Sequence, residues 1–379
     1  MKTIDLKYLF RTGKIGNVIL KNRIVRSATY EKRATKYGRI TEHLIKMYTD
    51  LAKGGTGLII TGTIAVDPTG TGSPYQAYLF DDSYIPGQKK LVDIVHEYSD
   101  VKIAAQIGHT GRQGIHPKYP PIAPSPVPLR YSNQIPKELT SEEIKVLIEK
   151  FVNTSCRAYE SGYDMVQLHA AHGYLLSNFI SPYTNKRKDE FGGNIQNRTK
   201  ILVDIYNQIR EEVGKKFPII TKLQTQDFVP GGLSLNESKQ ITKILVDTGY
   251  AAIEPSGGML ETMEGVNTYP SKFIKSSNDE NYFLPTVKIL KPIMENCSLI
   301  LVGGIRNPLS AEKILKENFA DYISMCRPLL REPDLPNRWK NGDISPAKCI
   351  SCNSCYNTMM TGEVYCVVKQ KLEEKNFDL

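Results

Sequence analysis

One phrase recurs along this chain: a helical run, a small or turn residue, then a short apolar strand. It reads AKGGTGLIITGT over 52–63, ESGYDMVQLHA over 160–170, DTGYAAIEPSG over 247–257 and ENFADYISMCR over 317–327. Glycine suits the left-handed residue that ends a helix, and the strand follows within a few residues. Four more strands read RIVRSAT over 23–29, KIAAQIGH over 102–109, PIITKLQ over 218–224 and SLILVGG over 298–304. All eight are short and continuously apolar, as expected of parallel strands covered by helices.

The helices between them carry start signals. Thr140 with Glu143 and Ser234 with Glu237 read as capping boxes, and Asn307 before Pro308 reads as an N-cap with a first-turn proline. Strands alternating with helices eight times predict an α/β fold, a closed (β/α)8 TIM barrel. A doubly wound sheet is the alternative. No G-x-G-x-x-G follows the first strand and no Walker-A pattern occurs, so the barrel is preferred. GKIGNVILKN reads as an N-terminal hairpin closing the barrel floor. Residues 110–139, rich in proline and glycine, are too long for a simple connection and read as a functional lid. The expected division is a barrel over 1–340 and a tail with a cysteine cluster over 341–379.

Composition narrows the function. The net charge of +9 is spread along the chain without a block or an aromatic-interleaved basic run, which argues against nucleic acid. No window approaches a spanning length of ~18 apolar residues. The N-terminus is too polar for a signal peptide. The expectation is a cytoplasmic protein with small-molecule partners and no membrane, its homo-oligomeric state open. Seven cysteines without a secretory signal argue against a disulfide framework. Cys156, Cys297 and Cys326 read as small buried hydrophobes.

In such a barrel, chemistry gathers at the C-terminal strand ends. Strand seven ends at Gly303 and Gly304, and strand eight at Cys326 and Arg327. Glycines let a phosphate approach backbone N–H groups, and a guanidinium holds it bidentately. Gln106 on strand three and Lys222 on strand five can read the polar edge of a flat ring. Together these describe a phosphorylated, aromatic cofactor in the barrel mouth. Strand four ends in His169, His172 and Tyr174. Paired histidines also suit zinc, but the other strand ends offer no obvious third ligand.

The segments NRIVRSATYE, LIITGT, QIGHTGRQ, HAAHGYLLSNFISPYTNKRKDEFGGNIQNR, ILVGGIR and CRPLLREPDLPNRW, in that order, resemble the old yellow enzyme family of FMN-dependent NAD(P)H:flavin oxidoreductases. The resemblance runs from about Leu6 to Trp339. It implies a barrel that binds FMN non-covalently, takes hydride from NAD(P)H and delivers it to the β-carbon of an activated alkene. Gln106 is then expected at the flavin's pyrimidine edge, with Ala28 and Gly62 against the ring through backbone atoms. Gly304 and Arg327 would hold the phosphate, beside Gly303 and Cys326. His169 and His172 match the pair that grips the substrate's carbonyl oxygen. Tyr174 matches the proton donor to the α-carbon, and a tyrosine's ordinary pKa near ~10 keeps it protonated.

Two positions depart from common forms of the family. Lys222 stands where arginine is usual; it keeps the positive charge beside the flavin and loses the planar fork. Tyr30 stands where several members carry cysteine, threonine or histidine. It is expected to tune the flavin or contact substrate, and it excludes a cysteinyl–flavin link.

The tail's Cys349, Cys352, Cys355 and Cys366, spaced C-x2-C-x2-C-x10-C, resemble the iron–sulfur segment of the long 2,4-dienoyl-CoA reductase-like relatives. Those carry one more residue between the second and third cysteines. Three readings stand side by side: free thiols, a [4Fe–4S] cluster, or zinc. The sequence holds no second flavin domain after these cysteines, so a cluster is expected to lack its usual electron donor.

The function expected from all this is reduction of C=C bonds conjugated to a carbonyl or nitro group. The alternatives are reduction of quinones, nitro compounds or oxygen by the same flavin, or an iron–sulfur dienoyl-CoA-reductase-like enzyme. More remote are a metal-dependent hydrolase and a non-catalytic barrel.

Overall fold

The eight apolar runs form eight strands in the computed structural model, which describes residues 5–98, 100–116, 118–130, 132–262 and 272–377. They are β1 (Ile24–Arg26), β2 (Leu58–Ile60), β3 (Lys102–Gly108), β4 (Met165–Ala170), β5 (Ile219–Gln224), β6 (Ala252–Ser256), β7 (Ser298–Val302) and β8 (Tyr322–Met325). Each pairs in parallel with the next, from Val25 opposite Leu58 to Ile300 opposite Tyr322. β8 then pairs with β1 through Ile323 opposite Ile24, so the sheet closes on itself. The expected (β/α)8 barrel is what forms.

Two apolar clusters follow from the alternation of side chains along these strands. Ile24, Ile59, Ile103, Val166, Ile219, Ile253, Leu299 and Ile323 face outward and pack under the helices. Val25, Leu58, Ile60, Ala104, Met165, Ile220, Ala252, Ile300 and Tyr322 fill the barrel's interior. The N-terminal hairpin, Gly13–Ile15 against Val18–Leu20, adds Ile15 and Leu20 to this inner cluster. It plugs the floor, as its sequence suggested, and the inner cluster leaves chemistry to the other end.

The covering helices include α1 (Glu42–Lys53), α2 (Ile85–His96), α3 (Ser141–Glu160), α4 (Ile195–Val213), α5 (Leu235–Thr248), α6 (Leu284–Leu290) and α7 (Pro308–Lys316). Both capping boxes form, and Asn307 accepts from the Leu309 N–H. Such caps satisfy N–H groups that a helix start leaves without intrahelical partners. Among the described residues, no helix is long and apolar enough to cross a membrane.

The tail is docked, not loose. Its helices α8 (Ser354–Thr361) and α9 (Val367–Phe377) follow the buried Trp339. Lys32 Nζ donates to the Met359 carbonyl at 2.7 Å, Arg33 Nη2 to the Val364 carbonyl at 3.1 Å, and the Val364 N–H to the Glu31 carbonyl at 3.0 Å. The segment beyond β1 thus carries the tail across the barrel mouth. Of the three scattered cysteines, only Cys297 is buried as expected; Cys156 and Cys326 are half-buried.

Candidate active site

A cavity of about 590 Å³ opens at the C-terminal strand ends, lined in part by Ala28, Tyr30, Gln106, His169, His172, Tyr174, Lys222, Cys326 and Arg327. A smaller space of about 130 Å³ adjoins it at the ends of β7 and β8, lined by Gly303, Gly304, Arg306, Cys326 and Arg327. Ala28, His172, Lys222, Cys326 and Arg327 border both. The fold therefore unites the expected site residues, Gly62 excepted.

Gly62 lines neither cavity. Its N–H donates to Glu31 Oε1 at 3.1 Å and to the Tyr48 hydroxyl at 2.9 Å. Glu31 also pairs with Arg26 at 3.3 Å and accepts from Tyr48 at 2.7 Å. A Cβ on Gly62 would stand 1.9 Å from Glu31 Oε2. This glycine makes room for a buried charge network behind the cavity wall.

The residues His169, His172 and Tyr174 meet as three rings. The His169 and His172 centroids are 5.2 Å apart and nearly perpendicular, and Tyr174 lies 5.0 Å from His169. His169 is on β4, two residues after Gln167, so both point to the interior. His172 lies beyond β4 with φ +66°, a left-handed backbone uncommon outside glycine. Three contacts hold it there. Its N–H donates to Gln224 Oε1 at 2.8 Å, its carbonyl accepts from Gln113 Nε2 at 2.8 Å, and its Nε2 lies 2.6 Å from Ser256 Oγ.

Burial, then the charge of Lys222, pushes the His169 pKa down to about 3. Burial, His169 and Lys222 push His172 well below the ordinary value. Both imidazoles are neutral near pH 7, and each carries one N–H donor. His169 Nδ1 is buried without a hydrogen-bond partner. Such an orphaned atom costs free energy unless a ligand meets it. Tyr30 hydrogen-bonds the Ser73 hydroxyl, and burial raises its pKa, so it too stays protonated.

A polar relay runs from the cavity-lining Gln106 to the cavity-lining Lys222 through buried residues beneath. Gln106 accepts from the Thr63 hydroxyl and donates to Gln167 Oε1 at 2.8 Å. Gln167 donates to Glu254 Oε2 at 3.1 Å. Glu254, fully buried, also accepts from Ser27 at 2.7 Å and Ser324 at 2.9 Å. It stands 3.2 Å from Lys222 Nζ, which donates to Ser27 Oγ at 2.8 Å. Sequence reasoning missed Glu254, Gln167 and Gln224, and it placed Ser27 and Ser256 at strand ends without giving them a role. The available signal was a carboxylate or amide inside an apolar strand, where only a paired group is tolerated.

The smaller space suits a phosphate. Gly303 and Gly304 have φ +114° and +75°, and a Cβ on either would come within about 3 Å of Tyr282. Arg306 Nε is buried without a partner. Arg327 Nη1 donates to the Lys272 carbonyl at 3.2 Å and to Asn353 Oδ1 in the tail. Glycine amides, two guanidinium groups and a polar-edged cavity fit a phosphorylated flat ring.

Cys349, Cys352, Cys355 and Cys366 surround one small pocket with Arg327 and Arg331. None of them is in a disulfide. Burial, with Cys326 and Cys349 near, pushes Cys355 up to about 12, and burial raises Cys349. Among the described residues, no group of three or more His, Cys, Asp or Glu is arranged to hold a metal ion. As placed, neither the tail cysteines nor the histidine pair fits a metal.

Fold and site together define a class: parallel barrels that hold a phosphorylated aromatic cofactor at the mouth, under a polar ring cluster. Within that class the chain belongs to the NADH:flavin oxidoreductase / NADH oxidase family, whose model matches residues 8–344. It is 39% identical to the NADH oxidase of Thermoanaerobacter brockii over 350 residues, 91% of this chain and 52% of that protein. The chain thus spans about half the length of this curated relative. Among solved structures, a 2-naphthoyl-CoA reductase in complex with 2-naphthoyl-CoA superposes with a TM-score of 0.88 at 27% identity, covering 96% of this chain and 57% of the other. An old yellow enzyme homologue from Zymomonas mobilis superposes with a TM-score of 0.75 at 25% identity, covering 89% and 94%.

Proposed function

We propose that this chain is a cytoplasmic, FMN-dependent NAD(P)H oxidoreductase that reduces the C=C bond of α,β-unsaturated carbonyl or related compounds. The observation that carries the reading is the pair of neutral imidazoles beside Tyr174, the buried one with an unpartnered ring nitrogen, over a cavity that fits a phosphorylated flat ring. Bound FMN supplies the hydride chemistry between NAD(P)H and the alkene.

The chain's own groups do the rest. Gly303 and Gly304 amides with Arg327 and Arg306 would hold the phosphate; Gln106 and Lys222 would meet the ring's polar edge, with Ala28 and Cys326 beside it. Tyr30 leaves the cofactor non-covalent and flanks the substrate. His169 and His172 donate to the substrate's carbonyl oxygen, which gains negative charge as its β-carbon is reduced. Donors already held in place spend no reorganisation at that moment. Tyr174 supplies the proton to the α-carbon.

The test is stopped-flow on the FMN-loaded protein. NADH and NADPH are compared for flavin reduction, then an enone panel for reoxidation. Tyr174→Phe should slow reoxidation by enone far more than reduction by NAD(P)H. Equal slowing of both counts against Tyr174 as the proton donor, and no enone turnover with fast quinone turnover would replace the reading with general flavin reductase.

The gathering of four cysteines around one pocket favours a second reading for the tail, a cluster that assembles with movement of these residues. Anaerobic purification with iron, sulfide and zinc assay decides it. Absence of all three leaves free thiols.

A further inference from the structure

The barrel alone does not finish the substrate cavity. Tyr356, Met359 and Met360 on α8 line the same space as His169, His172 and Tyr174. The helix is fixed there by the bonds from Lys32 to the Met359 carbonyl and between the Glu31 and Val364 backbones. Gln106 and Lys222 line the same cavity and are joined beneath it through Gln167 and Glu254. The cavity thus has a polar face that reads an oxygen and an apolar face supplied by the tail.

We propose that Tyr356, Met359 and Met360 are specificity-determining residues that receive the apolar substituent of the alkene, an aryl or branched alkyl group. This rests on the ene-reductase reading and names its substrate class. Met360 is 76% exposed, so its thioether sits at the rim with apolar surface left to water. Covering that surface favours an apolar ligand. Unbranched thioethers adapt to irregular shapes and make favourable contacts with aromatic edges, and a tyrosine beside them adds a flat face. On this reading a small cyclic enone is held by the histidines, and an aryl enone adds contact with this wall.

The experiment uses the FMN-loaded full chain with Met360→Ala and Met359→Ala/Met360→Ala, and two substrates, cyclohexenone and 4-phenylbut-3-en-2-one. The kcat/KM for the aryl enone should fall about tenfold more than that for cyclohexenone, through KM. Met360→Trp should narrow the wall and lower the same ratio. Flavin fluorescence reports FMN retention and, by quenching, enone binding without turnover. An unaltered ratio in all variants overturns the proposal, and so does a loss of FMN retention in place of a changed ratio. If wild-type protein reduces neither enone, the ene-reductase reading fails. The wall then stands only if the aryl enone still binds and binds more weakly to the variants.

Discussion

Asn353 Oδ1 accepts a hydrogen bond from Arg327 Nη1, so the tail holds the guanidinium that closes the phosphate end of the site. Asn353 is itself left-handed at φ +59°, a conformation asparagine tolerates better than most side chains. Asn353→Gly keeps that backbone and removes the amide. Arg327 then loses its tail anchor and keeps the Lys272 carbonyl as its remaining partner. The dissociation constant for FMN should rise about tenfold, while the melting temperature hardly moves. Unchanged FMN affinity by fluorescence titration would refute this.

Glu254 is the partner that makes Lys222 tolerable inside the barrel. Glu254→Gln leaves a buried cation without its counter-charge, and breaking such a pair typically costs about 3–5 kcal/mol. The urea midpoint should drop accordingly. In the loaded protein the uncompensated positive charge favours added electrons, so the flavin midpoint potential should move positive. A negative shift would mean that Lys222 does not face the flavin.

Three histidines make stability depend on acid, and one of them, His172, is held well below the ordinary value chiefly by burial. His169 stays neutral down to about 3 and His109 down to about 4, each chiefly through burial, against an ordinary 6.5. Below 6.5 the unfolded chain binds protons that the folded chain refuses, so stability is full above that pH and falls as pH drops. At pH 5 the loss is about 2 kcal/mol for each. Buried Glu31 and Asp227, whose pKa values burial raises, act in the opposite sense. The diagnostic is therefore His169→Gln: its urea midpoint should fall less between pH 7 and pH 5 than the wild type's. Equal falls would contradict a neutral, buried His169.

Gly62→Ala places a methyl group 1.9 Å from Glu31 Oε2 and 2.4 Å from the Thr29 carbonyl. Overpacking of this kind costs about 1–3 kcal/mol, and here it also disturbs the Arg26–Glu31–Tyr48 network. Lowered thermal stability with nearly native FMN affinity is the expected pair of results. A large loss of FMN affinity at native stability would return Gly62 to the flavin's face.

The order of residues along the chain determined much of the fold by itself. The repeat of helix, glycine and apolar strand specified the closed barrel, because eight parallel strands covered outside by helices must bury both faces. It also put His169, Tyr174, Gln106, Lys222, Gly304 and Arg327 at one end, since parallel strands share their C-terminal edge. What the phrase could not carry is pairing between residues far apart in the chain. Glu254 became the partner of Lys222, Ser256 the partner of His172, and Asn353 the anchor of Arg327 only when the ring of strands closed and the tail folded back. Local patterning sets which elements form, because backbone hydrogen bonds and side-chain periodicity are short-range. Which buried polar groups satisfy one another is decided by tertiary closure, because inside the barrel each must find a partner that only the fold brings near.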